Sequence, residues 1–520
     1  MSQRREIQKV LIANRGEITV RVLRGLRELG IRGAVVYSDA DRASLSVMLA
    51  DEAYRIGPAA SSESYLRAEA IVELAVEIGA DAIHPGYGFL SENADFARLC
   101  EERGVIFIGP SSSAIAAMGS KIESRRLMID AGVPVVPGGR DPLTSLEAAQ
   151  EAAETVGYPV MLKASAGGGG KGMRMVESPD GLAAAFRDAR SEAASAFGDD
   201  AVYIEKFIVE PRHVEIQILG DQHGKVVALC ERECSLQRRN QKVVEEAPSP
   251  VVGPELRQRM GDAAVKAAEA VGYTNAGTVE FLLDADGNFY FLEMNTRLQV
   301  EHPVTELITG IDLVIAQLRV AQGEALGPEF DGVTPRGHAI EVRLYAEDPQ
   351  RNFAPSPGLI RRLRLPEGPG IRNDCGVYEG DTISIFYDPM IAKLIAWGSD
   401  RGHAIARLDR ALEELRVDGI RTTAPLFQKI LRDDDFRAGR MDIGMLGRKL
   451  ESGEWLPSAD TEADGASGAL GDDDLAMIAA AIAHTERQTS ATSTPPAHGG
   501  QRGHWHATAR REALRGATWR

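Results

Sequence analysis

Residues 278–306 read TVEFLLDADGNFYFLEMNTRLQVEHPVTE. Two alternating apolar runs flank Asp286-Gly287, the strongest short-range signal for a β-hairpin. With Asp286 and Gly287 as a two-residue turn, Ala285 pairs with Asn288. Counting outward sets Glu280 opposite Glu293, with Asn295 on the same face as Glu293. Directly opposed carboxylates repel across a sheet. A hard divalent cation, Mg²⁺ or Mn²⁺, between them removes the repulsion, and the Asn295 carbonyl adds a further oxygen ligand. Such an ion, shared with substrate phosphates, marks a nucleotide site. A hairpin with solvated carboxylates is the ordinary alternative. Glu293 closes the apolar run FYFLE, where burial is expected, and that favours the metal.

Arg297, Gln299, Glu301 and His302 then crowd a short segment ending at Pro303. A planar guanidinium suits an oxyanion such as phosphate or bicarbonate. Glu301 can act as a base if its pKa is tuned. The stretch EMNTRLQVEHPVTE (293–306) resembles the active-site segment of biotin carboxylases in the ATP-grasp superfamily, and the resemblance covers about residues 5–450. It implies a mixed α/β and α+β architecture. An N-terminal doubly wound parallel sheet (1–120, Rossmann-like, pre-ATP-grasp) precedes an ATP-grasp lid (121–205) and core (206–330). A C-terminal biotin carboxylase domain (331–450) follows, then a mostly flexible tail with a short helix (451–520).

The chain has 520 residues, enough for roughly two to four domains and a large core. Its 44% hydrophobic and 26% charged content excludes a disordered class. The net charge, 59 − 76 = −17, argues against nonspecific nucleic-acid binding, so an anion site must gather its positive charge locally. Four cysteines (Cys100, Cys230, Cys234, Cys375) are too few for a disulfide framework. Cys230 and Cys234 could begin a metal site, but no second pair follows, and reduced structural thiols are the favoured reading. No apolar run approaches the ~20 residues of a membrane span, and no signal-peptide core opens the chain. A cytoplasmic location is expected.

Residues 9–120 alternate strand and helix without help from any resemblance: KVLIAN, a helix over Gly16–Leu29, GAVVYS, a helix over Ser64–Ile78, DAIHPGYG, VIFIGP. Asn14-Arg15-Gly16 sits at a strand-to-helix turn where an anion could bind. No GxGxxG is present. In HPGYG (84–88), Tyr87 either lines a cleft or serves only a tight turn. Met118-Gly119-Ser120-Lys121 leads into a helix. Then YPVMLKAS carries Lys163 into Ala166-Gly167-Gly168-Gly169-Gly170-Lys171-Gly172, followed by MRMV. Strand, glycine loop and strand let backbone N–H groups close over phosphates. The GK[ST] ending of a P-loop is missing, and a nucleotide lid is favoured over a plain linker.

The resemblance assigns the rest. Lys121, Lys163, Gly169 and Gly170 would hold the ATP phosphates, and Glu205 the adenine amino group. The backbone from Lys206 to Ile208 would read the base edge, His213 the ribose or phosphates, and Gln237 the nucleotide side. Lys242, Arg297, Gln299 and the Val300 backbone would hold bicarbonate, and Glu301 would deprotonate it. In GHAIEVRLYAED, Glu341, Arg343 and Tyr345 share a face, and Arg343 would meet the biotin ureido oxygen, with Tyr87 nearby. Asn240 and Ala166 depart from the His and Gly of many relatives, and Asn240 puts a ribose or phosphate contact there in doubt. Short strands are expected at GLIRRLRL, TISIFYDP and IAKLIAWG, then a helix over Arg401–Leu415.

From Trp455 the composition turns small and polar, with one candidate helix over Asp472–Thr485 and histidines at 498, 504 and 506. ARREALR resembles a C-terminal segment of acyl-CoA-type carboxylase subunits that leads toward their partners. No AMKM-like biotinylation site occurs, so biotin is expected on a separate carrier protein, with carboxyltransferase subunits choosing the final acceptor. A homodimer is expected, as biotin carboxylases are commonly dimers. Two competitors are another ATP-grasp ligase (carboxylate–amine or carbamoyl-phosphate type), which would lack RxQxEH, and a non-catalytic ATP-binding subunit, which would need no base.

Overall fold

The computed structural model describes residues 6–139, 142–164, 173–197 and 200–456. The run Lys9–Ile12 forms β1, buried at every position as a central parallel strand must be. It is joined by β2 (Arg32–Ser38), β3 (Glu52–Gly57), β4 (Ala82–His84) and β5 (Ile106–Phe107), all parallel, in the order β3-β2-β1-β4-β5. This is the expected doubly wound sheet, with β3 unanticipated because EAYRIG alternates only weakly. Strand order reverses between β1 and β4, so the loops after them diverge and open a crevice. Asn14 spans it, its Nδ2 donating to the carbonyls of Pro85 (2.6 Å) and Tyr87 (2.8 Å). The HPGYG turn is thereby held at the crevice.

A separate small sheet of β6 (Val160–Ala164), β7 (Met173–Val176) and β8 (Val202–Lys206), ordered β7-β6-β8, has its own core around Leu162, Val176, Phe186 and Ile204. The glycine loop with Gly169 and Gly170 lies outside the described residues. Ser120 caps the helix Lys121–Asp130, and a further helix, Ser112–Gly119, runs directly into it.

The third sheet positions the site. β9 (Arg212–Gly220), β10 (Val226–Arg238), β11 (Gln241–Ala247), β12 (Asn275–Leu283), β13 (Phe289–Asn295) and β14 (His338–Tyr345) combine with strands Met390–Gly398 and Ile371–Cys375. Neighbouring strands are antiparallel, and the order is β13-β12-β9-β10-β11-β14-(390–398)-(371–375). β11 bonds directly to β14, so the boundary expected at 330/331 crosses a continuous sheet. GLIRRLRL splits into Gly358–Leu359 and Arg362–Arg364 because its halves pair with different strands, Thr382–Ile383 and Arg416–Asp418. Of TISIFYDP only Thr382–Ile383 is strand.

The β12–β13 hairpin corrects the turn but not the pairing. Asp284 N–H donates to the Asn288 carbonyl (2.9 Å) and Gly287 adopts φ +80°, so the loop has three residues rather than two. Leu283 pairs with Phe289, a register that alone would set Glu280 against Leu292. A bulge between Glu280 and Phe281 shifts the register by one and restores Glu280 opposite Glu293. The segment 233–246, which carries Gln237 and Lys242, is a second hairpin. Arg239 (φ +50°) and Asn240 (φ +64°) form its two-residue turn, where Asn tolerates the left-handed region.

Trp455 corrects the expected start of the tail. It is 1% exposed, packs into the core around Leu426, Phe427 and Leu446, and donates from Nε1 to Asp433 (2.9 Å). The candidate helix 472–485 and the histidines at 498, 504 and 506 lie outside the described residues. Among the described residues no helix is long and apolar enough to cross a membrane. Trp455→Ala should cost about 3–5 kcal/mol through the cavity it leaves, read as a lower urea midpoint by circular dichroism. An unchanged midpoint would contradict its role in the core.

Candidate active site

One row of side chains crosses four strands. Glu293 on β13 pairs with Glu280 on β12, Glu280 with Glu215 on β9, and Glu215 with Arg232 on β10. Three acids in register on one face would unfold that face unless cations converge on it. They do. Arg232, 0% exposed, uses all five N–H donors: Nε to Glu215 (2.5 Å), NH1 to Gln217 (2.7 Å) and Thr305 (2.9 Å), NH2 to Thr278 (2.9 Å) and Gln299 (2.8 Å). Lys242, reaching in from β11, gives its Nζ to Glu215 (2.5 Å), Glu280 (2.8 Å) and Glu301 (2.6 Å). Burial works to raise Glu215 and Glu280, but Arg232 and Lys242 on the first, and Lys242 and His213 on the second, hold both below the usual carboxylate range. Burial lowers His213, yet Glu280 at 3.2 Å outweighs it and lifts the imidazole to about 9.

Glu301 is bound at both oxygens, Oε1 by Lys242 and Oε2 by Arg343 NH2 (3.0 Å). Burial opposes ionisation, but Lys242, Arg343 and Arg232 together overcome it and Glu301 sits below its ordinary value. The tuning expected of a base is thus absent while the ammonium holds it. Arg343 also donates Nε to Glu245 (2.6 Å), which burial pushes up to about 7, with Glu301 adding to the push and Arg343 opposing it. Tyr87 donates to Glu17 and lies within electrostatic reach of Arg343 and Glu341. Lys393 Nζ holds the Val300 carbonyl (2.7 Å).

Arg297 is 19% exposed in its side chain; its Nε donates to Glu92 (2.8 Å) and NH2 to Asn295 Oδ1 (2.9 Å). Gln299 donates Nε2 to Glu280 (2.8 Å). Gln237, opposite Lys242 in the β10–β11 pair, donates to the Cys234 carbonyl (2.9 Å). The four cysteines are buried, free thiols. At the lid, Lys163 pairs with Glu205 (2.5 Å), which also takes Arg125 (3.1 Å). The Lys206 N–H donates to Pro137 O (2.7 Å) and that of Phe207 to Pro159 O (3.0 Å), which leaves the carbonyl side of Lys206 for the base edge. The Ile208 amide has no such partner among the described residues. Lys121 starts its helix, exposed.

The metal expectation needs two corrections. Glu293 is exposed rather than buried. The Asn295 oxygen accepts from Arg297 while its amide nitrogen donates to Glu280 (2.9 Å). Oxygen donors remain, and Glu293 makes no hydrogen bond or ion pair with any described residue. Although its outer side meets solvent, the protein packed around its inner side desolvates the carboxylate and, with the Glu280 charge, pushes it above its ordinary value. That uncompensated charge fits a hard divalent cation at Glu280 and Glu293.

Sequence reasoning missed Glu215, Gln217, Arg232, Glu245, Glu92 and Lys393. One signal was present: HVEIQI (213–218) alternates three polar side chains with three apolar ones on a strand buried on both faces. Arg232 was hidden between two cysteines read for thiol chemistry. Glu92 and Lys393 reach the site only across domains.

Three family models match consecutive parts of the chain: "Biotin carboxylase, N-terminal domain" over residues 6–115, "Carbamoyl-phosphate synthase L chain, ATP binding domain" over 120–328, and "Biotin carboxylase C-terminal domain" over 341–448. The chain is 55% identical to a pyruvate carboxylase subunit of Methanothermobacter thermautotrophicus over 433 residues, 83% of this chain and 88% of that one. It is 54% identical to biotin carboxylase 2 of Bacillus subtilis over 442 residues, 85% and 99% of the two chains. Among solved structures it is similar to the biotin carboxylase domain dimer of Hydrogenobacter thermophilus 2-oxoglutarate carboxylase, in complex with MgADP, ADP and bicarbonate. The TM-score is 0.80 at 48% identity, covering 87% of this chain and 99% of that one.

The buried row yields a stability prediction. Arg232→Leu strands Glu215 and should cost about 3–5 kcal/mol or prevent folding. Wild-type resistance to urea would show that Lys242 suffices to neutralise the row.

Proposed function

The chain belongs to the biotin carboxylase family, and from that premise we propose that it carboxylates biotin delivered by a separate carrier protein, cleaving ATP to ADP and phosphate. The observation that carries the reading is the double grip on Glu301, Lys242 on one oxygen and Arg343 on the other. This places one carboxylate between a cation shared with the nucleotide side, through Glu280, and a cation on the expected biotin side.

Bicarbonate brings its own charge to Lys242 and Arg297 and competes for the ammonium hydrogens. Glu301 then loses part of its cationic hold, its basicity rises, and it takes the bicarbonate proton. A bicarbonate oxygen attacks the γ-phosphorus, the bond to ADP breaks, and carboxyphosphate forms. That species divides into CO₂ and phosphate, biotin N1′ bonds to CO₂, and phosphate takes the N1′ proton. Arg343 offsets the charge that grows on the ureido oxygen. Tyr87, held to Glu17 at the crevice, lines the biotin side. Lys121, Lys163, Gly169, Gly170 and His213 bind phosphates or ribose, Glu205 and the backbone from Lys206 to Ile208 bind the base, and Gln237 lies on the nucleotide side. Glu280 and Glu293 would hold Mg²⁺ or Mn²⁺, with Asn295 beside them, and the ion would neutralise the β- and γ-phosphates. The dimer described for the Hydrogenobacter relative supports a dimer here.

The central family model is shared with carbamoyl-phosphate synthases, so on its own it would suit the competing ligase. The flanking biotin carboxylase matches, and the base beside an arginine, favour the carboxylase. ATP cleavage measured with and without bicarbonate, then with free biotin, tests this. Stimulation by both is expected, and cleavage indifferent to both would overturn the reading. Glu301→Gln should abolish biotin-dependent ATP cleavage while nucleotide binding persists, and undiminished turnover would remove it as the base. Arg343→Ala should slow biotin carboxylation by about 10²-fold, checked with labelled bicarbonate.

A further inference from the structure

Lys393 is the least expected charge in the molecule. It sits mid-strand in Met390–Gly398, flanked by Ala392 and Leu394, and is 0% exposed. Its Nζ donates to the Val300 carbonyl (2.7 Å) and forms ion pairs with Glu17 (3.2 Å) and Asp374 (3.6 Å). These partners come from the first helix of the N-terminal sheet, the segment before Glu301, and a neighbouring strand of the large sheet. Burying an ammonium costs several kcal/mol unless it is fully paired, so a structural role alone would be met more cheaply by an apolar residue in this strand. The ring of Tyr87 lies 6.0 Å away, near the limit for a cation–π contact.

The carbonyl it holds belongs to the peptide joining Val300 to Glu301. That peptide carries the Cα of Glu301, whose carboxylate must reach Lys242 and Arg343 at once. No regular ladder holds the segment: it lies between β13 and the helix His302–Thr309, and the Gln299 carbonyl that follows the turn is taken by His302. We propose that Lys393 is a positioning residue for bicarbonate: by fixing the Val300 carbonyl from the C-terminal domain it fixes the Cα atoms of Val300 and Glu301 on either side of that peptide, so that the Val300 N–H and the base at Glu301 face the same bicarbonate ion. The groups facing its ammonium are Glu17, Glu341, Asp374 and Arg372. Burial opposes the charge, but the three acids together outweigh burial and the arginine and hold the lysine above its ordinary value. Polarisation of the carbonyl by a full charge also stiffens the peptide beyond what a neutral donor would do.

The inference rests on the proposed function, and one experiment separates the two. Bicarbonate-dependent ATP cleavage is measured for the wild type, Lys393→Met and Asp374→Asn, with KM for bicarbonate and for ATP determined separately and thermal midpoints recorded. A displacement of about 1 Å at a reacting group costs on the order of 10²-fold. Lys393→Met should therefore raise KM for bicarbonate by about tenfold or more and lower kcat, with KM for ATP within about twofold of wild type. Asp374→Asn weakens the same buried charge cluster without touching Val300, and the nearer Glu17 (3.2 Å against 3.6 Å) still holds the ammonium on the carbonyl. It should lower the thermal midpoint yet leave KM for bicarbonate near wild type. If Lys393→Met does not fold, Lys393→Arg replaces it, keeping the charge but moving the donor. It should show the same split between the two KM values. Equal changes in both KM values, or the same rise in KM for bicarbonate in Asp374→Asn, would reduce Lys393 to a structural role and overturn the proposal. So would a wild-type KM for bicarbonate in the lysine variant. A wild type indifferent to bicarbonate would overturn the functional reading itself.

Discussion

A single ammonium shared by three carboxylates governs the architecture around it. Lys242 draws Glu215, Glu280 and Glu301 to one point, and each acid sits on a different element. Without it the row Glu293–Glu280–Glu215 would carry three like charges across adjacent strands with only Arg232 and His213 against them. Desolvation works against the buried acids, so the arrangement survives because the oxygens of Glu215, Glu280 and Glu301 each meet a donor or cation. The same requirement makes the site responsive. A ligand anion that takes hydrogens from Lys242 changes the basicity of Glu301 and the charge balance at Glu280 together.

The surrounding domains are joined by the same kind of force. Arg21 of the first helix meets Glu306 (3.0 Å) and Asp312 (2.6 Å), and Glu306 also takes Arg372 (2.6 Å) from the C-terminal part of the large sheet. Arg372 in turn pairs with Asp374 (2.8 Å), which faces Lys393. Buried ion networks of this kind contribute less net stability than apolar packing of equal volume, but they demand one geometry. Apolar packing supplies the rest: Ile12 of the N-terminal sheet and Val22 of the first helix share a core with Leu219, Leu229 and Leu318. The result is a site whose walls come from segments far apart in the chain, held in one relation by charges that tolerate little displacement.

Much of this was legible before any coordinates. The parallel sheet followed from alternating apolar runs and helix periods, which are local properties. The opposition of Glu280 and Glu293 followed from hairpin counting, although two departures, a longer turn and a bulge, cancelled to give it. Glu301 and Arg343 were identified by motif resemblance, and they do meet. What the linear chain could not disclose was pairing between non-neighbouring strands. β9 lies between β10 and β12, and only that adjacency puts Glu215 beside Glu280 and Arg232. Burial was misjudged for the same reason: Glu293 belongs to an apolar run but sits on the outermost strand of its sheet, where solvent reaches it.

The amino-acid sequence by itself therefore determined the classes of element, their order, and the residue types able to hold phosphate, metal and bicarbonate, because turn chemistry, periodicity and donor sets act over a few residues. Tertiary structure alone decided which charge neutralises which. Lys242 reaches across a hairpin to three acids, Glu92 reaches Arg297 from another domain, and Lys393 grips the Val300 carbonyl from a strand 93 residues away. Those contacts depend on distances in space, and in a buried site of low dielectric such distances set whether a carboxylate is a base or a counter-ion.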